Sequence, residues 1–227
     1  MCEMLAIRAE RPLLLEEVWP YMILLDEYGV AGFGWGVVWI GIDGKLRRYR
    51  TADGIRRDPV GPRSLAGVRS TRYLIHLRRP SAMTTIAHRN AQPYLSSGGD
   101  LAFAHNGYFA RHNAFRPEFE GRFEGTSDSE VGFLLYQKEV SNGIAPAEAL
   151  LRVHRDLEGH ANIGVLQADG ELLMYAGNHE NNVYAFDLGD LRMMSTALHS
   201  MDDFLFQTIF PSASNVRRVE TGTVHRL

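Results

Sequence analysis

The sequence predicts an α+β fold in one domain spanning residues 1–227. Three observations point there. Short apolar runs bounded by turn residues lie in both halves of the chain, as strands do. Two adjacent segments, 125–143 and 145–159, place apolar residues at helical spacing. No repeat, low-complexity tract or change of composition divides the chain, and 227 residues suffice for one substantial core.

The elements follow in order. An apolar stretch after Glu16 and Glu17 predicts a helix over about Leu14–Glu27, with Pro20 disturbing its start. The Gly-rich run GVAGFGWG (29–36) is a turn that leads into the strand VVWIGI. Asp43-Gly44 marks a hairpin into LRRYR. RYLIHL (72–77) and LAFAH (101–105) read as strands, joined by a long polar loop over 78–100 of a length that is usually either functional or disordered. Ser127-Asp-Ser-Glu130 has the capping-box pattern and opens one helix, and Gly159 stops the next. NIGVLQ, ELLMYAG, NVYAF and LRMMST then read as strands, Asp202–Phe206 as a short helix, and 216–227 as a closing hairpin.

Composition removes several function classes. Hydrophobic residues make up 45% of the chain and charged residues 22%, and the net charge is −3, so no basic field invites nucleic acid. Lysine occurs only at Lys45 and Lys138, so arginine supplies most of the positive charge. A single cysteine excludes an internal disulfide framework and a Cys-based zinc site. The nine histidines form no HExxH pair. The start, MCEMLAIRAERP, lacks the basic head and apolar stretch of a signal peptide, which sets the expectation of a cytoplasmic protein.

That one cysteine follows the initiator Met. Removal of Met1 would leave a residue carrying both a thiol and an α-amine. The amine titrates near pH 7.7–8.0, close to what a general base at neutral pH requires. Cys2 thereby becomes a candidate nucleophile that needs no histidine, although a cysteine near a terminus is as readily incidental. Asn106-Gly107 closes the strand LAFAH. An Asn amide and a Gly backbone N–H can together stabilise an oxyanion, and Asn-Gly is also an ordinary turn. Arg78 ends the strand RYLIHL, where a guanidinium fork suits a carboxylate or simply faces water. Asp128 opens a helix, where it can receive an ammonium group or support the helix N-terminus.

Taken in order, MCEML, GFGWG, YLIHLRRPS, NAQPY, LAFAHNGYF and GTSDSEVGFLLY resemble the class II glutamine amidotransferase domain of the N-terminal-nucleophile hydrolase superfamily. The resemblance is nearest to the small stand-alone members that begin MC and carry a GWG turn, among them the ergothioneine-pathway γ-glutamyl amidohydrolases. It implies a four-layer αββα sandwich, two antiparallel sheets flanked by helices. It implies Cys2 as nucleophile with its own amine as base, and Asn106 and Gly107 as the oxyanion hole. Arg78 and Ser81 are implied at the substrate α-carboxylate, and Asp128 at the α-ammonium. The chain departs from the family pattern in having no Gly in RRPSAMTT after Arg78, and Phe33 where stand-alone members carry Asp before GWG.

The implied activity is hydrolysis of the γ-amide of glutamine, or of a γ-glutamyl conjugate, through a γ-glutamyl thioester. The alternatives are a glutaminase subunit feeding ammonia to a separate synthetase and a catalytically silent binding protein of the same fold. No metal or organic cofactor, no nucleic acid and no membrane is expected to take part. The acceptor side is assigned to 79–97 and to 197–210.

Overall fold

The computed structural model describes residues 2–29, 31–196 and 203–227. Strands β1 (Glu3–Leu14), β2 (Trp35–Ile40), β3 (Leu46–Thr51), β4 (Arg69–Leu77), β5 (Tyr94–Leu95), β6 (Leu101–Phe109), β7 (Gly159–Gln167), β8 (Leu172–Gly177), β9 (Val183–Leu188), β10 (Leu191–Thr196), β11 (Ser214–Arg218) and β12 (Thr223–Arg226) build two antiparallel sheets. Their orders are β11-β9-β10-β1-β4-β2-β3 and β12-β8-β7-β6-β5. The helices are α1 (Trp19–Tyr28), the single turns α2 (Gly61–Ser64) and α3 (His112–Phe115), α4 (Asp128–Ser141), α5 (Pro146–Leu157) and α6 (Asp203–Ile209).

Three apolar layers hold these elements as an αββα sandwich, the four-layer architecture that the resemblance implies. Leu5, Ile7, Tyr73, Ile75 and Met193 on the outer face of the larger sheet pack with Met22 and Leu25 of α1 and Phe206 and Ile209 of α6. Phe103, Ile163 and Val165 on the outer face of the smaller sheet pack with Val131 and Leu135 of α4 and Leu150 and Val153 of α5. Met4, Ala6, Leu74 and Met194 meet Ala102, Ala104, Leu166 and Met174 between the sheets. Successive residues of β1 therefore serve opposite faces, as a pleated strand requires.

Several elements differ from their sequence reading. Residues 3–14 form the central strand β1, and the chain turns through a short 3-10 segment, Leu15–Val18, before α1. The predicted helix therefore begins later, with Pro20 in its first turn, where a missing N–H costs nothing. The Ser127 hydroxyl caps α4 by accepting from Glu130 N at 3.3 Å, but the Glu130 carboxylate does not close the box. It accepts instead from the N–H groups of Glu124 (2.6 Å) and Gly125 (2.9 Å), tying down the preceding loop. The closing hairpin is absent: β11 pairs with β9 in one sheet and β12 with β8 in the other. Val219 N bonds Val183 O and Gly222 N bonds Ala176 O, so residues 219–222 cross from sheet to sheet. Asp202 lies outside the described residues, and α6 begins at Asp203.

Candidate active site

The register of the larger sheet brings the first candidate residues together. Glu3 on β1 faces Leu77 on β4, so continuing the pairing by one residue sets Cys2 against Arg78. The Cys2 thiol lies 3.4 Å from both the N–H and the carbonyl oxygen of Arg79. On the other side of Arg78, the GFGWG turn is locked to the same strand end. Phe33 N donates to Arg78 O at 3.1 Å, and Arg78 N donates to Gly34 O at 2.8 Å. Trp35 anchors that turn by donating from Nε1 to the buried Asp58 at 2.9 Å.

The second sheet reaches Cys2 through Asn106 on β6. Cys2 N donates to Asn106 Oδ1 at 3.3 Å, and Asn106 Nδ2 donates to Cys2 O. One fully buried amide thus satisfies both backbone groups of Cys2, and Nδ2 keeps a second hydrogen. Asn181 Nδ2 donates to the same Cys2 carbonyl at 3.3 Å. Its own backbone oxygen receives Asn162 Nδ2 at 2.6 Å, and Asn162 sits opposite Asn106 in the β6–β7 ladder. Thr196 Oγ1 donates to the buried Glu3 carboxylate and accepts from Met4 N at 3.0 Å. A buried polar network therefore fixes the residues around Cys2 from both sheets, and such networks hold geometry when their members are satisfied.

Gly107 follows Asn106 at φ +141°. A Cβ there would lie 1.7 Å from the His160 carbonyl oxygen on β7, so only glycine fits. Asp128, the first residue of α4, accepts from Phe109 N at 3.0 Å. The helix start is thereby stitched to the end of β6.

One cavity of about 200 Å³ opens between these elements, lined by Cys2, Arg78, Ser81, Gly107 and Asp128. All six residues singled out from the sequence therefore converge, with Asn106 behind Cys2. Arg78 is 5% exposed; its Nη2 donates to Thr85 O (3.1 Å) and Thr85 Oγ1 (2.9 Å), while Nη1 has no partner. Burial lowers the Arg78 pKa, whereas Cys2 and Asp128 raise it. Burial pushes the Cys2 thiol up, opposed by the positive chain terminus, the Arg79 N–H and Arg78. Ser81 is exposed at the rim.

Other residues at the site were not foreseen. Thr85 and Asn90 brace Arg78, since Asn90 Nδ2 donates to Thr85 O at 2.8 Å. Gln92 holds β6 by accepting from His105 N at 2.7 Å and donating to Ser129 Oγ at 3.1 Å. His105 meets the same Ser129 hydroxyl at 2.9 Å and stacks on Phe109. The motifs NAQPY and SDSE contain Gln92 and Ser129, but nothing in either marks them as partners. Of the predicted acceptor side, 79–82, Thr85 and Gln92 line the cavity, whereas 197–202 lie outside the described residues. Among the described residues no group of three or more His, Cys, Asp or Glu side chains is placed to hold a metal ion, and no helix is long and apolar enough to cross a membrane.

His76 on β4 donates from Nε2 to His105 O at 3.1 Å, joining the two sheets beside the cavity. Burial, with Arg78 nearby, depresses its pKa to about 3, and burial depresses that of His105 to about 4. Both histidines are neutral in the folded protein and take up protons more readily when it unfolds. Stability is therefore full above about pH 6.5 and falls as pH drops toward 4. Each contributes up to roughly 1.4 kcal/mol per pH unit in that window. Urea titrations at pH 7.0, 5.5 and 4.5 are expected to show this fall, and a flat profile would contradict the neutral assignment.

No family model matches the chain. A glutamine–fructose-6-phosphate aminotransferase (isomerizing) from Leifsonia xyli subsp. xyli is 28% identical over 165 residues, covering 68% of this chain and 25% of that protein. The Bacillus subtilis glutamine phosphoribosylpyrophosphate amidotransferase superposes with TM-score 0.75 at 19% identity, over 100% of this chain and 49% of that one. The fold is that of a class II glutamine amidotransferase domain. A glutamine aminotransferase class-II domain protein from Silicibacter pomeroyi superposes with TM-score 0.64 at 18% identity and covers 100% of this chain and 98% of that one. The chain thus spans about a quarter of the curated relative and about half of the Bacillus subtilis structure.

Proposed function

We propose that this protein hydrolyses the γ-amide of glutamine, or of a γ-glutamyl conjugate, with Cys2 as nucleophile. The observation that carries the reading is the unpartnered Nη1 of the buried Arg78, in the same small cavity as the only cysteine and the Asp128 carboxylate. A buried guanidinium with a free N–H is costly unless an anion joins it. A substrate α-carboxylate supplies that anion, and Asp128 receives the α-ammonium. The cavity is smaller than the ~300–1,000 Å³ usual for drug-sized ligands and suits an amino acid.

The raised pKa of Cys2 means that its proton must leave as the thiol attacks. Removal of Met1 turns the Cys2 nitrogen into an α-amine, which takes that proton. Sulfur bonds to the γ-carbon, and the oxyanion is received by the second hydrogen of Asn106 Nδ2 and the Gly107 N–H. The C–N bond breaks as the ammonium returns its proton to the departing ammonia or amine. Water then attacks the γ-glutamyl thioester and gives its proton to the same amine. The C–S bond breaks, releasing glutamate and restoring the thiol.

Turnover of glutamine by the protein alone, read as released glutamate, tests this reading. The relatives' greater length favours a second one, ammonia delivery to a separate synthetase, for which turnover alone is weak and rises with the partner. Arg78→Lys keeps the charge but loses the fork. It is expected to raise KM for glutamine by about tenfold or more with a smaller change in kcat. An unchanged KM would remove Arg78 from the substrate carboxylate.

A further inference from the structure

The opposite end of the sandwich carries a second cluster of chemistry. Arg8 lies six residues along β1 from Cys2, roughly 20 Å at strand spacing. It faces Arg72 on β4 and Arg192 on β10, and Arg192 faces Asp187 on β9. Met4, Ala6, Leu74 and Met194, in phase with these arginines, belong to the layer between the sheets. The inter-sheet face therefore gives way to a row of guanidinium groups at its far end. A cavity of about 370 Å³ opens there, lined by Arg8, Arg192, Arg217 and Arg226 with Asp187, Asn215 and Leu227 among its other residues.

The partners of these charges do not balance them. Arg226 is paired with Glu171. Arg72 spends its donors on the carbonyls of Ala9, Thr71 and Gly170, and burial together with Arg8 lowers its pKa. Asp187 accepts from Asn215 Nδ2 at 2.7 Å. Arg8 has only Glu10 at 3.8 Å, beyond hydrogen-bond range, and its Nε is buried with no partner. Among the described residues, the side chains of Arg192 and Arg217 make no hydrogen bond or ion pair. Like charges directly opposite one another on paired strands are destabilising. Arg192 and Arg217 are exposed, whereas Arg8 is only partly so and keeps its Nε buried without a partner, which an arginine that merely extended into water would not do.

We propose that this cavity binds a small anion carrying two or more phosphate groups, held by Arg8, Arg192 and Arg217. Three guanidinium forks from separate strands offer paired donors in the geometry that phosphate oxygens accept. The volume admits a di- or triphosphate. The site is distinct from the cavity at Cys2, and its occupancy does not depend on the reaction there.

The test is calorimetric titration of the full-length protein with inorganic pyrophosphate. Adenosine diphosphate distinguishes a nucleotide from free polyphosphate, and citrate serves as a tricarboxylate control. One-to-one binding of pyrophosphate or adenosine diphosphate, weakened at least tenfold in Arg192→Ala/Arg217→Ala, supports the site. Both residues are exposed on strands, so the variant is expected to keep its ligand-free melting temperature. Arg192→Gln/Arg217→Gln preserves chain length and a donor and should weaken binding similarly. Absence of binding by either phosphate compound, unchanged affinity in the variants, or citrate binding as tightly as pyrophosphate would each overturn the proposal.

Discussion

Cys2→Ala is expected to lower glutamine turnover by about a thousandfold or more, since covalent catalysis loses its nucleophile and no neighbouring group replaces it. The fold should survive. The thiol contributes only two weak contacts to the Arg79 backbone, while the hydrogen bonds at Cys2 N and O belong to the main chain and remain in the variant. Alanine is also small enough to permit removal of Met1, so the base is retained while the nucleophile is lost. Cys2→Ser offers a hydroxyl that ionises far less readily, and it should fall nearly as low. An alanine variant with turnover within tenfold of the parent would place the chemistry elsewhere.

Gly107→Ala is expected to have the largest effect on stability. The added Cβ would sit 1.7 Å from the His160 carbonyl oxygen, with Ala161 Cα 3.1 Å away, and φ of +141° is unfavourable to any L side chain. Relief requires β6 and β7 to part at the Gly107–Ala161 pair, next to the pair that holds Asn106 opposite Asn162. A backbone clash of this kind costs about 3 kcal/mol or more and displaces the Asn106 amide from Cys2. Gly143→Ala is the matched control, because its φ of +82° is also positive but nothing lies within 4 Å of the added atom. It should cost about 1 kcal/mol. Urea unfolding of both variants reads the difference, and a Gly107→Ala midpoint equal to that of Gly143→Ala would contradict the close approach.

The site was more legible in the sequence than the scaffold that builds it. Cys2, Arg78, Asn106, Gly107 and Asp128 stand in short motifs whose residue types state a chemistry. Strand β1 escaped because both its faces are buried. Met4 and Ala6 serve one layer while Leu5 and Ile7 serve another, so period-2 alternation is lost. Glu3, fully buried, reads as solvent-facing from its type alone; its partner Thr196 lies 193 residues away. The length of the 78–100 loop marks it in the sequence as functional or disordered, but the way Thr85 folds back on Arg78 depends on tertiary packing. The closing segment reads as a hairpin because two strand-like runs flank Thr221-Gly222. Only the free edges of β9 and β8 show that each run joins a different sheet.

The account rests on a processed, reactive Cys2 in a glutamine-shaped cavity. The most direct measurement is the intact mass of the purified protein before and after treatment with a glutamine-like diazoketone. The expected result is a chain lacking Met1 that gains one adduct per molecule, with no adduct on Cys2→Ala. A chain that retains Met1, or a processed chain that takes up no label, would contradict the assignment of Cys2 as the nucleophile.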